Sequence, residues 1–457
     1  MNIYLNVEIS SRELDSKLLL ATLGASRGHQ VIVSDMSGID RGIRKKLLAP
    51  GIFHTKCITP FEAKIKFHQE LIDQGYIITS IDEEAGLDMS DYEEFSKTRY
   101  SEKTFEQSSA IFTWGNDDMN FLKKFYPNHQ EKMHKTGSPR IDLSRSSLQD
   151  YWMAPKSLPK KPYLLISSNM GKGNYIKPFH EIIRENKKIG YYNRDQKLFR
   201  SDFGCASEDY LKIYNFIEAI KYLSKNSNGF EIVFRPHPIE NIESWKLYLD
   251  GIPNVYVIRD GSITPWINNS FALMHCGCTS AIEATVAGKP VVSFVPFQMN
   301  YTTTFTNKLD YCVNNLKDLS STINNIFDRR KSISNQRLTN TSSEVLSKKI
   351  YLDNDELAAA KIIKIWESLD NLKLSKASSW GTYKWLLWTT QFVHMFGISL
   401  RKLFPNKFGH FREDFKFAPL DKDDIEEKVR RLQKNLGIKK KIDCKLLSKR
   451  TILIKSD

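Results

Sequence analysis

Short apolar runs alternate along the chain with longer amphipathic stretches, and glycines or polar turns divide them. NIYLNV (2–7), QVIVSD (30–35), YIITS (76–80) and AIFTWG (110–115) read as strands, with a helical pattern over 11–28 between the first two. Apolar runs bounded by turn residues and separated by helices predict βαβ units and a parallel sheet. The rhythm breaks at RSSLQDYWMAPKSLPKKP (145–162), where three prolines and no period predict a linker. It resumes with YLLISS (163–168), FEIVF (230–234), NVYVI (254–258), FALMH (271–275) and PVVSF (290–294). Between these runs the pattern predicts helices over 207–225, opened by a Ser cap, and over TSAIEATVAG (279–288). The expectation is an α/β protein of two doubly wound domains, 1–150 and 160–350. A cleft lies between them, lined by the carboxyl ends of both sheets. The remainder, 351–457, reads as helical and partly crossing back.

Chemistry gathers at the predicted strand exits. The strand IVF runs into Arg235-Pro236-His237-Pro238, and proline cannot donate to a sheet ladder, so the strand stops on a cation and an imidazole. His275, Gly277, Thr279 and Ser280 leave another strand and enter a helix that continues through Glu283. A glycine lets the backbone approach closely, and hydroxyls at a helix start bind phosphate beside free amides. Each feature also has an ordinary structural reading, a helix cap for Thr279 or Ser280 and a hydrogen-bonded core histidine for His237. Together, facing one crevice, they favour a nucleotide phosphate site. Ser168, Asn169 and Gly171 in SSNMGKG (167–173) resemble a glycine-rich loop but lack the P-loop spacing, and read as a cleft-lining loop.

The first domain supplies acids. Asp82, Glu83 and Glu84 follow the strand at 76–80, and mutual repulsion among them raises the pKa of at least one, as a general base needs. A solvated acidic turn is the alternative. Glu8, Arg12 and Glu13 form a second polar group at the same edge, either orienting an acceptor or pairing with one another.

Charge and composition narrow the class. The chain of 457 residues is 41% hydrophobic and carries a net charge of +14, ordinary for a globular protein except in its distribution. From residue 371 onward there are 20 Lys/Arg against 9 Asp/Glu, so most of the excess lies outside the predicted cleft, which argues against nucleic acid as a partner. Within that region, WGTYKWLLWTTQFVHMFGISLRKLF (380–404) holds three tryptophans in nine positions. Its uncharged run is too short to span a bilayer and suits either an interfacial helix or packing on the body. The six cysteines lack disulfide or zinc spacing and the N-terminus reads as a strand, so a cytoplasmic protein, peripheral on the inner membrane face, is expected. No metal or cofactor is expected.

The combination resembles GT-B glycosyltransferases of the bacterial sialyltransferase type. Over most of the chain, through VEISSRELDSKLLLA, IDEEAGL, TGSPRIDLSR, LLISSNMGKGN, FRPHP and HCGCTSAIEATVAGKPVVSF, it is similar to bacterial surface carbohydrate biosynthesis proteins. The resemblance implies transfer of a nonulosonic acid (pseudaminic, legionaminic or sialic type) or Kdo from a CMP-sugar to a glycan or lipid-linked acceptor. It implies a base from Asp82-Glu83-Glu84, although Ala85 intervenes before the family's glycine. It also implies a CMP phosphate held by His237-Pro238 and Thr279-Ser280. The pattern around 275–290 is shared with CDP-glycerol or CDP-ribitol phosphotransferases and UDP-sugar 2-epimerases, which stand as alternatives. A non-catalytic basic binding protein is the reading from another class.

Overall fold

β1 (Asn2–Val7) shows why the strand runs lack polar alternation. All six residues are buried, with Ile3, Leu5 and Val7 in one apolar cluster and Tyr4 in another. Strands of a parallel sheet covered on both faces require this pattern. The structure is a computed structural model that describes residues 1–83, 98–188, 190–193, 197–301, 305–330, 340–369, 378–403 and 417–456.

β2 (Gln30–Asp35), β3 (Ile52–Thr55), β4 (Ile77–Ile81), β5 (Ala110–Thr113) and β6 (Met133–Lys135) pair in parallel with β1 in the order β2-β1-β3-β4-β5-β6. The second sheet contains β7 (Tyr163–Ser167), β8 (Glu231–Arg235), β9 (Val255–Val257), β10 (Ala272–His275), β11 (Val291–Phe294) and β12 (Tyr311–Val313). Its order is β12-β11-β10-β7-β8-β9, all parallel, which is the doubly wound order 3-2-1-4-5-6 of Rossmann sheets counted from β7. Each sheet reverses its winding once, between β1 and β3 and between β7 and β10. A crevice opens at the carboxyl ends there. The two crevices face each other, giving a GT-B architecture of two Rossmann-like domains.

Among the described residues of 351–457 not all are helical. The helix Ala358–Leu369 packs on the helix Ser10–Ser26, burying Ile362, Ile363 and Trp366. The chain then ends in β13 (Ile442–Ser448) and β14 (Thr451–Ser456), a hairpin whose β14 runs antiparallel to β2 and widens the first sheet to eight strands. Its lysines conceal it in the sequence. Lys445 is exposed on the edge strand β13, where charge blocks unwanted pairing, so a run that reads as a basic tail is a strand.

The helix expected from Ser207 instead spans Lys197–Lys225, which makes Ser207 an interior residue and not a cap. The turns missed by the pattern, 197–206, hold a buried acid, Asp202, which accepts the Tyr192 hydroxyl at 3.0 Å and interrupts the apolar period there.

The hairpin is part of the core on both of its faces, with Ile454 in the cluster containing Ile3 and Leu453 in the one containing Tyr4. Ile454→Ala and Leu453→Ala are each expected to cost about 2–4 kcal/mol in urea unfolding. A dispensable tail would lose less than about 0.5 kcal/mol.

Candidate functional site

Both winding reversals open onto one cavity of about 270 Å³. The first domain contributes Ser10, Ser11, Arg12, Asp15 and Ser16 from the start of the helix after β1, together with Arg140. The second contributes Ser167 and Ser168 at the end of β7, Arg235 to Pro238 at the end of β8, Arg259, and Cys278, Thr279, Ser280 and Glu283 after β10.

The prolines end β8 as the sequence requires, and the turn that follows is held by charges. Arg235 donates from Nη1 to the Asp260 carbonyl and from Nη2 to the Gly261 carbonyl, each at 2.8 Å. Its guanidinium also lies 5.2 Å from the centre of the Trp266 ring. Burial lowers its pKa to about 10, so it remains charged at neutral pH while it fixes the 260–261 loop.

The His237 amide donates to Ser168 Oγ at 3.0 Å, and the ring Nδ1 accepts from the Ile239 amide at 3.4 Å. That contact leaves the ring proton on Nε2. Burial first, then the positive charges of Arg12, Arg140 and Arg259, bring the imidazole pKa to about 4. A neutral imidazole with one N–H therefore sits among three guanidiniums.

Two residues that the sequence reading missed organise this turn. Glu240 is fully buried; Ser168 Oγ lies 2.9 Å from both of its oxygens, and it also accepts from the Met170 amide at 2.9 Å and Trp245 Nε1 at 2.6 Å. Burial raises its pKa to about 7 against those bonds. Arg259 donates to the carbonyls of Glu240 at 2.7 Å and Pro238 at 3.3 Å. The signal available in the sequence was an acid two residues beyond Pro238, inside an apolar context.

The remaining candidates divide. Thr279 and Ser280 line the cavity, and neither is a side-chain cap: Thr279 makes no capping bond, and Ser280 Oγ lies 2.6 Å from Ser167 Oγ. His275 does not reach the cavity. It is fully buried, accepts from the Cys278 amide at 3.3 Å and contacts Ser293 Oγ at 2.9 Å, and burial lowers its pKa to about 3. The Gly277 amide donates to Asn307 Oδ1 at 2.8 Å, and its carbonyl accepts from Asn169 Nδ2 at 3.0 Å. Gly277 takes a φ of 65°, which its lack of Cβ permits.

The loop at 168–173 is not a phosphate cradle. Its amides at Met170, Lys172 and Gly173 point at the protein's own Glu240 and Asp209. At Gly171 a Cβ would stand 2.4 Å from Ile239 Cδ1, so the loop lies close against that side chain. Of the three loop candidates only Ser168 lines the cavity, while Asn169 ties the loop to Gly277.

The acids are committed to partners. Glu83 is buried with Lys17 Nζ 2.6 Å from Oε1. Burial alone would raise its pKa, but Lys17, Arg140 and Arg12 outweigh it and hold the carboxyl below its ordinary value. The expected rise is therefore reversed at Glu83, because the nearest charges are cations. Asp82 accepts both Arg99 Nε, at 2.7 Å, and Arg99 Nη2. Glu84 lies outside the described residues. Glu283 accepts Arg140 Nε at 3.0 Å and Thr264 Oγ1 at 3.0 Å, tying the two domains across the cavity. Asp15 also bridges them, accepting Ser262 Oγ at 2.7 Å and the Tyr151 hydroxyl at 2.5 Å.

Glu13 is buried and accepts the Glu8 amide at 2.7 Å and Arg12 Nη2 at 2.9 Å, so this trio largely pairs with itself. The Glu8 side chain pairs with Lys56 and lines a second, larger cavity of about 700 Å³ with Asp35, Arg41, Lys64 and Tyr175. Among the described residues, no cluster of three or more His, Cys, Asp or Glu is placed to hold a metal ion.

No protein-family model matches the chain, and no curated protein matches it in sequence. Solved structures with a similar chain path include the UDP-GlcNAc 2-epimerase of Methanocaldococcus jannaschii in complex with UDP-GlcNAc and UDP. It is 11% identical, with 80% of this chain and 100% of that one covered and a TM-score of 0.49. The UDP-GlcNAc 2-epimerase of Neisseria meningitidis bound to UDP-GlcNAc is 16% identical, covering 81% and 100%, with a TM-score of 0.44. The wall teichoic acid polymerase TagF is 10% identical, covering 70% and 71%, with a TM-score of 0.42. Likeness at this level carries no functional inference.

Glu240 makes a pH prediction. Its folded pKa, about 7, lies above the ordinary carboxyl value of 4.5, so its protonation stabilises the fold below pH 4.5 and that contribution is lost as pH rises through 7. Across this window the wild type should lose up to roughly 3 kcal/mol relative to the slope of Glu240→Gln in chemical unfolding. Parallel slopes would show that Glu240 is ionised throughout.

Proposed function

We propose that the protein is a nucleotide-sugar enzyme that transfers a nonulosonic acid or Kdo from a CMP-linked donor to a surface glycan or lipid-linked acceptor. One observation carries this reading: Arg12, Arg140 and Arg259 converge on a neutral His237 at the meeting of the two winding reversals. Of the carboxylates in the same cavity, Asp15 is engaged by Tyr151 and Ser262, and Glu283 by Arg140 itself, whose charge is shared between that carboxylate and the cavity. A CMP-linked keto-sugar acid brings a phosphate and a carboxylate, two anions that such a cluster matches.

In the proposed reaction Glu84 takes the proton of an acceptor hydroxyl, whose oxygen then bonds to the anomeric carbon of the donor. The bond from that carbon to the CMP phosphate oxygen breaks, and its electron pair leaves with the phosphate. The guanidiniums and His237 Nε2–H stabilise the charge that develops there, so a divalent metal is not required. The cavity containing Glu8, Arg41, Lys56 and Tyr175 is assigned to the acceptor.

A second reading is a UDP-sugar 2-epimerase or a CDP-alditol phosphotransferase. It is favoured by the pairing of Asp82 and Glu83 with Arg99 and Lys17, which withdraws both as acceptor bases. Three guanidiniums also suit a diphosphate.

Purified protein incubated with CMP-nonulosonic acid or CMP-Kdo and a lipid-linked glycan extract should release CMP, undiminished by EDTA. Glu84→Ala should lower the rate by about 10²-fold or more. Conversion of UDP-GlcNAc to its 2-epimer without CMP release would decide for the second reading, and full loss of turnover in EDTA would sink the metal-free step.

A further inference from the structure

The helix Trp380–Leu403 has two faces with different fates. Tyr383 and Leu387, one turn apart, are buried against the first domain with Ile39, Ile43 and Leu48. The Tyr383 hydroxyl donates to the Gly38 carbonyl at 3.0 Å, and the ring packs on Gly42, where a Cβ would stand 2.6 Å from it. The first turns are thus fixed to the body.

Roughly opposite that seam lie Trp385, Trp388, Phe392 and Phe396, at steps of three and four residues, with Val393 beside them. These five side chains are between 54% and 73% exposed. A helix that needed only to pack on the body would bury its aromatic residues.

We propose that this face seats the protein on an anionic lipid bilayer. Tryptophan and phenylalanine on one face of a helix that lies flat suit the boundary between headgroups and acyl chains. No helix among the described residues is long and apolar enough to cross a membrane, so the contact is at the surface. Charge identifies the surface. Lys445 and Lys449 are exposed on the hairpin that packs beside the helix, with the Lys449 amide 3.4 Å from Gln391 Oε1. A second copy of the protein, paired face to face by a two-fold axis, would set these lysines against their own copies. An anionic headgroup layer neutralises them, at about 1 kcal/mol for each basic residue near the surface.

Vesicle flotation tests this without donor or acceptor, so its outcome is separate from that of the proposed reaction. The wild type should float with phosphatidylcholine vesicles containing roughly one-third phosphatidylglycerol. It should bind pure phosphatidylcholine less, release in high salt, and show a blue shift of tryptophan emission. The triple variant Trp385→Ser/Trp388→Ser/Phe392→Ser should bind at least about tenfold less. Its circular dichroism and melting temperature should match wild type, because these side chains cover no core. Failure of the wild type to bind anionic vesicles would overturn the proposal, as would equal binding by the variant. A dimer that the variant dissolves and that excludes vesicles would assign the face to a second copy and overturn it too.

Discussion

The pairing of Arg140 with Glu283 is the contact on which the site depends. Arg140 enters from the turn after Ser138-Pro139 in the first domain, and Glu283 lies on the helix Ser280–Val286 of the second. Burial alone would lower the arginine pKa, but the facing carboxylate outweighs it and raises it. A buried ion pair adds little net stability, since desolvation offsets the attraction. Removing one partner is different, because it strands a charge and costs about 3–5 kcal/mol. The pair therefore acts as a positional constraint. With the Asp15 bridge to Ser262 it sets the faces of two Rossmann sheets at a fixed separation, and the cavity is what remains between them.

Charge balance within that space explains what the cavity can hold. On the second domain, loop amides that would suit an anion are taken by Glu240 and Asp209, so the backbone there is closed to a phosphate. The positive charge comes instead from side chains of both domains around His237. Under the proposed reading, an anion in this cavity would meet side chains of both domains, so its binding would depend on the same bridge that forms the site.

Much of this was legible in the sequence, and the gaps have physical causes. Uninterrupted apolar runs such as YLLIS announced strands buried on both faces, and RPHP announced a strand exit that lines the cavity. Thr279, Ser280, Ser168 and His237 line the cavity. His275 does not, because residue type and strand-end position do not reveal which way a ring turns. Three adjacent acids suggested mutual repulsion, but Lys17, sixty-six residues away in sequence, answers Glu83. Long-range partners of this kind leave no local pattern. The same is true of Arg140, whose role appears only when the domains meet, and of the hairpin at 442–456, whose exposed edge imitates a solvated tail.

The central claim is that the cavity between the domains is a nucleotide phosphate site built around His237 and the three arginines. The most direct measurement is the melting temperature of the purified protein with and without CMP, CDP and UDP, alongside His237→Ala. Ligand that binds only the folded state must raise it. The account predicts a dose-dependent rise with CMP that is much reduced in His237→Ala. The absence of a rise with any of the three nucleotides, or a rise unchanged by that substitution, would contradict it.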